Sequence, residues 1–117
     1  MRLVLLSDTH GRHKKLSVPD GDVLVHCGDF SHRGSLTETH AFGRWFAAQP
    51  HLFKLLVPGN HDAATENPVA RNLLRSLGIE VLIDQAATIG DTDFLNVANL
   101  SSDYTRLHDP VVYDIAA

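Results

Sequence analysis

Three short apolar segments, each ending directly in polar residues, constrain the fold of this chain more than any other feature. They are Leu3–Leu6, Val23–Cys27 and Leu52–Val57, and a helix-like segment separates the second from the third. Continuous apolar runs of this length are typical of strands buried on both faces of a sheet. Strands that alternate with helices are joined by right-handed crossovers. The pattern therefore predicts an α/β fold with a parallel-rich sheet and flanking helices.

Capping residues mark two helices. Ser35 and Glu38 form a capping-box pair at the start of the first helix, which we expect to end near Gln49. The second helix is expected to begin at Asn67 and to be closed by Gly78. The remaining predicted elements are a fourth strand at Val81–Ile83, a hairpin of Ala86–Ile89 with Phe94–Val97, and a last strand at Val111–Ile115. Because no linker or repeat interrupts this order, residues 1–117 are expected to form one domain.

Charge and composition disfavour several classes of partner. The formal net charge is -4 and the pI is about 6.0, which disfavours non-specific binding to nucleic acid or to acidic membranes. Cys27 is the single cysteine, so an internal disulfide is excluded. The apolar run at the N-terminus is too short for a signal peptide, and no run approaches the roughly 20 residues of a membrane helix. We therefore expect a cytoplasmic protein that does not bind membranes.

Polar residues that can bind metal follow the three apolar strands. Asp8 and His10 follow the first strand, Asp29 follows the second, and Asn60 and His61 follow the third. Loops at the carboxyl ends of parallel strands gather at one edge of a sheet, so these side chains are expected to lie close together. Carboxylate, imidazole and amide ligands suit manganese, zinc, iron or magnesium. The pattern thus predicts a site for one or two divalent ions.

Two further polar residues have simpler interpretations. Asp62, directly after His61, is interpreted as a turn or capping residue in preference to a catalytic one. His26 lies inside an apolar strand, where a hydrogen-bonded core histidine is more common than a metal ligand.

The three polar motifs resemble a known family. D-x-H, then G-D, then G-N-H-D, each after an apolar strand, is similar to the opening half of the calcineurin-like metallophosphoesterase superfamily, over roughly residues 1–84. Ser7–Gly11 and Gly28–Ser31 resemble its small phosphodiesterase branch. The resemblance implies a shortened form of that family's αββα sandwich.

The resemblance also implies roles for the site residues. Asp8, His10 and Asp29 would hold one ion, and Asp29 and Asn60 would hold a second. His61 would protonate the leaving oxygen or stabilise the transferring phosphoryl group. The implied activity is hydrolysis of a small phosphomonoester or phosphodiester by metal-activated water, with manganese as the first choice of ion.

The later histidine motifs of the family, of the T-H-G and G-H-x-H types, are missing. After His61 the only histidine is His108, whereas the tail from Phe94 to Ile115 is similar to the family's closing strands. This implies an internal deletion near Gly90. His13, His32 and His108 are candidate substitute ligands, and the simpler interpretation is that they are surface histidines.

Three hypotheses follow. The first is a metal-dependent phosphoesterase with an incomplete site. The second is a catalytically impaired pseudoenzyme that binds metal or phosphate, and the third is a fragment whose main property is self-association. Since a deletion would uncover part of the sheet, a homodimer or higher homo-oligomer is expected in each case.

Overall fold

The computed structural model describes residues 1–59, 62, 65, 67–83, 86–89, 92–95, 107 and 109–115. Strands and helices alternate along the first two thirds of the chain, and short strands follow. In chain order the elements are β1 (Arg2–Leu6), a 3-10 helix (His13–Lys15), β2 (Val23–His26), α1 (Leu36–Ala47), β3 (Phe53–Leu56), α2 (Pro68–Ser76), β4 (Glu80–Val81), β5 (Ala86–Ile89), β6 (Thr92–Leu95) and β7 (Val111–Asp114). Among the described residues, no helix has the length and apolar character needed to cross a bilayer.

Five strands form one sheet in the order β4-β3-β2-β1-β7. The first four strands along the chain pair in parallel, and β7 pairs with β1 in the antiparallel direction. This arrangement confirms the predicted parallel-rich α/β fold. The predicted hairpin also forms, but its second strand begins at Thr92 instead of Phe94, since Ile89 pairs with Thr92 and leaves only two residues between the strands.

The capping signals of both helices act as predicted. The hydroxyl oxygen of Ser35 accepts a hydrogen bond from the Glu38 N–H at 3.1 Å, and the Glu38 carboxylate accepts one from the Ser35 N–H. Asn67 caps α2 by accepting from the Val69 N–H at 2.9 Å. Beyond α2, Gly78 has a φ of 86°, a left-handed conformation that glycine adopts without steric cost.

The two faces of the sheet bury different sets of side chains. Val4, Leu24 and Leu56 face the helices and pack with Phe42 and Leu74. The residues that alternate with them, Leu3, Val23, Val25 and Leu55, form a second buried cluster on the opposite face. Burial on both faces explains why these strands are mostly apolar in sequence. Since both faces of the sheet are covered, polar loops can meet at the carboxyl ends of β1, β2 and β3.

His26 is the polar exception on the helix-facing side of β2. Its side chain is fully buried, and its ring packs against Phe42 at a centroid distance of 5.0 Å. Both ring nitrogens lie within hydrogen-bonding distance of a partner, the Thr9 hydroxyl and the Gly28 N–H. The interpretation of His26 as a hydrogen-bonded core histidine is confirmed.

Because His26 is buried, it makes the free energy of unfolding depend on pH under acidic conditions. Burial, with the nearby His13 and His10, lowers the pKa of His26 from 6.5 to about 3. Between those values the unfolded chain carries a proton that the folded chain does not, so this contribution to stability is complete above pH 6.5 and is lost as the pH falls towards 3. We expect His26→Gln to make the dependence of the unfolding free energy on pH shallower, by up to about 1.4 kcal/mol per pH unit.

Urea unfolding of the metal-free protein at a series of acidic pH values measures this slope. Part of the slope should remain, because burial also lowers the pKa of His13. The exposed His40, changed to Gln, is the matched control and should leave the slope as it is. An unchanged slope in His26→Gln would contradict the prediction.

Candidate metal centre

Backbone hydrogen bonds bring the loops after β1 and β2 side by side. The Asp8 N–H donates to the Gly28 carbonyl at 2.9 Å, the His10 N–H to the Asp29 carbonyl at 3.1 Å, and the Gly11 N–H to the Phe30 carbonyl at 2.8 Å. These bonds continue the pairing of the two strands beyond their ends. The predicted convergence at the carboxyl edge of the sheet is therefore observed for these two loops.

Three side chains of these loops form one buried cluster. One ligand atom from each of Asp8, His10 and Asp29 lies within 4.8 Å of the other two. Asp8 and Asp29 are 1% and 0% exposed, and His10 is 6% exposed. Placing two carboxylates together away from water is costly unless a cation compensates their charge. The composition of the cluster thus favours a bound positive ion.

The distances within the cluster fit a metal ion. His10 Nε2 lies 3.7 Å from Asp8 Oδ1, which is too long for a hydrogen bond. Ligand atoms that each lie about 2.0–2.2 Å from one ion are about 3–4 Å from each other. Asp8 Oδ1 is buried and has no hydrogen-bond partner in the described part of the chain. A cation between the two side chains would satisfy this oxygen.

The backbone around His10 also fixes which nitrogen faces the cluster. His10 Nδ1 lies 3.2 Å from the Ser31 carbonyl oxygen, which can only accept a hydrogen bond. Nδ1 therefore carries a proton, and Nε2, which lies 3.7 Å from Asp8 Oδ1, is the nitrogen that faces the cluster. A carbonyl behind a histidine is a common way to orient a metal ligand.

All three members of the cluster have unusual backbone conformations. Asp8, His10 and Asp29 have φ values of 54°, 44° and 58°. The left-handed region costs a non-glycine residue roughly 1–2 kcal/mol, and such strain is concentrated at functional sites. The surrounding hydrogen bonds hold these strained conformations, which bring together three side chains that can bind metal.

Asp62 holds the loop after β2 against the loop after β3. Its carboxylate accepts hydrogen bonds from the N–H groups of Asp29 (2.7 Å), Ser31 (3.0 Å) and Gly59 (2.8 Å), from the Ser31 hydroxyl (2.8 Å), and more weakly from the Phe30 N–H (3.4 Å). Burial raises the pKa of the Asp62 carboxyl, and the hydrogen bonds oppose that rise. The interpretation as a turn residue described only part of this role, because Asp62 joins two loops that are far apart in sequence.

We expect Asp62→Asn to lower the free energy of unfolding by roughly 3 kcal/mol, because the amide nitrogen would face buried N–H donors that need an acceptor. Urea unfolding in the presence of a chelator measures the change without a contribution from metal. Asp22→Asn is the matched control, since Asp22 also accepts a backbone N–H, from Arg2 at 2.7 Å, but at an exposed position. Similar losses in both variants would contradict the prediction.

Of the other predicted site residues, His13 and His32 lie in the described part of the chain, and neither belongs to the cluster. His32 is exposed, which agrees with the surface interpretation. That interpretation is wrong for His13, which is only 4% exposed and whose ring packs against Phe42 and Trp45 at centroid distances of 5.6 and 4.9 Å. The 3-10 helix turns this histidine towards α1. Three predicted residues, Asn60, His61 and His108, lie outside the described residues.

Comparison with known proteins agrees with the geometry. The sequence matches the calcineurin-like phosphoesterase family over residues 1–114. The chain belongs to this family. Metallophosphoesterase domain-containing protein 1 of Homo sapiens is 35% identical over 74 residues, which are 63% of this chain and 23% of that protein. The UPF0046 proteins K07C11.7 and C25E10.12 of Caenorhabditis elegans are 44% identical over 62 residues and 36% identical over 84 residues. Those regions are 53% and 70% of this chain, and 21% and 30% of the two proteins.

The chain thus spans less than a third of the length of these relatives. This member of the calcineurin-like phosphoesterase family has an Asp/His cluster at the carboxyl edge of its sheet. Sequence reasoning identified the three clustered residues but missed the loop contacts of Thr9, His26 and Asp62. Two signals were available in the sequence: Thr9 lies between two residues of the cluster, and His26 is a polar residue in an otherwise apolar strand.

Proposed function

We propose that this chain is a divalent-metal-dependent phosphoesterase, with manganese as its first-choice ion. The buried cluster of Asp8, His10 and Asp29 carries the proposal, because these strained and closely placed ligands have no comparable use in packing. A bound divalent ion supplies a Lewis acid for a phosphoryl oxygen and activates water as the nucleophile. The substrate class is a small phosphomonoester or phosphodiester.

Within this proposal each residue has a defined task. Asp8, His10 and Asp29 hold the first ion, and the Ser31 carbonyl keeps His10 in the tautomer that binds metal. Asn60, with Asp29, holds a second ion. His61 donates a proton to the leaving oxygen or stabilises the phosphoryl group. The positions of Asn60 and His61 directly after Gly59 support their inclusion, since Gly59 is held next to Asp29 by Asp62.

A second candidate is a pseudoenzyme that binds metal or phosphate without turnover. The observation that favours it is the histidine content, since His108 is the only histidine after His61. Loss of imidazole ligands weakens a metal site, and the second ion, with fewer remaining ligands, would be affected more. His13, His32 and His108 remain candidates for replacing the missing ligands.

Metal content and turnover on the same sample test the proposal. The purified protein is reconstituted with manganese, the ions per chain are counted, and a chromogenic phosphodiester and phosphomonoester are assayed. Metal-dependent hydrolysis that a chelator removes and manganese restores is the expected result. Stoichiometric manganese binding with no hydrolysis of either substrate would favour the pseudoenzyme. Absence of stoichiometric binding would exclude the proposed metal centre.

We also propose that the chain forms a homodimer or a higher homo-oligomer. In the part of the sheet that the structure describes, β7 is an edge strand whose residues Val111, Val112 and Tyr113 are 57%, 41% and 60% exposed. Exposed apolar edge strands are prone to pair with another chain. Size-exclusion chromatography with light scattering should give a mass of two or more chains at micromolar concentration, and a stable monomer would contradict this proposal.

A further inference from the structure

A single buried ring contacts both loops that carry the clustered ligands. His26 Nε2 lies 2.9 Å from the hydroxyl oxygen of Thr9, and the Gly28 N–H donates to His26 Nδ1 at 3.1 Å. Thr9 is the residue between Asp8 and His10 in the first loop. Gly28 directly precedes Asp29 in the second.

The two hydrogen bonds determine the tautomer of His26. A backbone N–H can only donate, so Nδ1 must be the unprotonated acceptor. The proton of the neutral ring is then on Nε2, which donates to the Thr9 hydroxyl oxygen. Both nitrogens are therefore committed, one to each loop, and neither of them can bind metal without breaking a loop contact.

We propose that His26 is a positioning residue that holds the two ligand loops at a fixed separation, so that Asp8, His10 and Asp29 are arranged for metal before the ion arrives. This inference rests on the proposed metal-binding function. The left-handed conformations on both sides of Thr9 and directly after Gly28 are strained, and the two contacts of His26 add to the backbone hydrogen bonds that hold them.

The residues around His26 allow an experiment to distinguish a positioning role from a packing role. Its ring lies among Phe30, Phe42 and Phe46, with centroid distances of 6.3, 5.0 and 6.4 Å. A phenylalanine would suit these neighbours as well or better, since a buried imidazole must recover the cost of leaving water through its hydrogen bonds. A packing role therefore predicts that His26→Phe retains metal affinity, whereas a positioning role predicts that it does not.

Manganese affinity, measured by calorimetry, distinguishes these two roles. We expect His26→Phe and Thr9→Val each to weaken manganese binding about 10–100-fold, the range for residues that orient metal ligands. In the His26→Phe background, Thr9→Val should add little, because the contact it removes is already lost. In His26→Gln the side-chain amide can still donate to Thr9, so Thr9→Val should remain costly there. Unfolding in the presence of a chelator shows whether each variant is folded.

A second measurement uses the unaltered protein and so does not depend on any variant folding. Two-bond proton–nitrogen correlations of the metal-free chain at neutral pH report which nitrogen of His26 is protonated. We expect the Nε2-protonated neutral tautomer. A ring protonated on Nδ1 would overturn the inference, because the contact with Gly28 would then be absent.

The outcomes separate this inference from the function on which it rests. If the unaltered protein binds manganese and a folded His26→Phe binds it equally well, the positioning role is wrong and the metal centre stands. If the unaltered protein does not bind manganese, the proposed function fails and this inference fails with it.

Discussion

Asp29→Asn is expected to weaken manganese binding by more than about 100-fold, beyond the range for changes outside the ligand set. Asp29 is a member of the buried cluster and, in the proposed site, contacts both ions. Asparagine keeps the size of the side chain and tolerates the left-handed conformation at φ 58°, so the loop should keep its shape. The change removes the negative charge that attracts the cation.

The same substitution should not destabilise the metal-free protein. Asp29 and Asp8 place two carboxylates close together in a buried position, and removing one charge relieves their repulsion. Calorimetry with manganese and thermal unfolding with a chelator measure the two effects separately. The exposed Asp20, changed to Asn, is the control for an aspartate far from the cluster, and it should alter neither quantity. Manganese binding at the original affinity in Asp29→Asn would exclude the proposed site.

Gly59→Ala is expected to disrupt the same site by a steric route. A Cβ atom on Gly59 would overlap Asp29 Oδ1 and would lie 2.6 Å from the Asp29 backbone nitrogen and 2.8 Å from its Cγ. The nitrogen belongs to the backbone, which the Asp62 carboxylate holds at 2.7 Å, so it cannot move aside cheaply. We expect manganese affinity to fall about 10–100-fold. Overpacking should also cost about 1–3 kcal/mol of stability.

A second glycine provides the matched control. Gly78 lies beyond the end of α2 with a φ of 86°, and a Cβ there would meet nothing within 4 Å. Gly78→Ala should therefore cost about 1–2 kcal/mol through backbone strain alone and leave manganese affinity unchanged. Calorimetry and unfolding of both variants separate general destabilisation from displacement of Asp29. Equal manganese affinity in the two variants would contradict the steric argument.

Local signals in the sequence were sufficient for the helix starts and for the strand positions. Ser35 and Asn67 cap the helices as predicted, because an N-cap acts on N–H groups two or three residues away. The predicted ends of the strands differ from the observed ends by up to two residues. The fourth predicted strand, Val81–Ile83, forms as Glu80–Val81, since its extent depends on how far β3 offers partners.

The amino-acid sequence by itself determined the alternation of strands and helices, the parallel sheet and the identity of the three clustered residues. These follow from apolar runs, capping residues and polar strand ends, all of which act over short distances along the chain. Only the tertiary structure decided that His13 is buried, that Asp62 joins two loops, and that His26 contacts both ligand loops. The physical reason is that the partner of a buried polar side chain depends on packing between segments distant in sequence. Local sequence patterns do not contain this information.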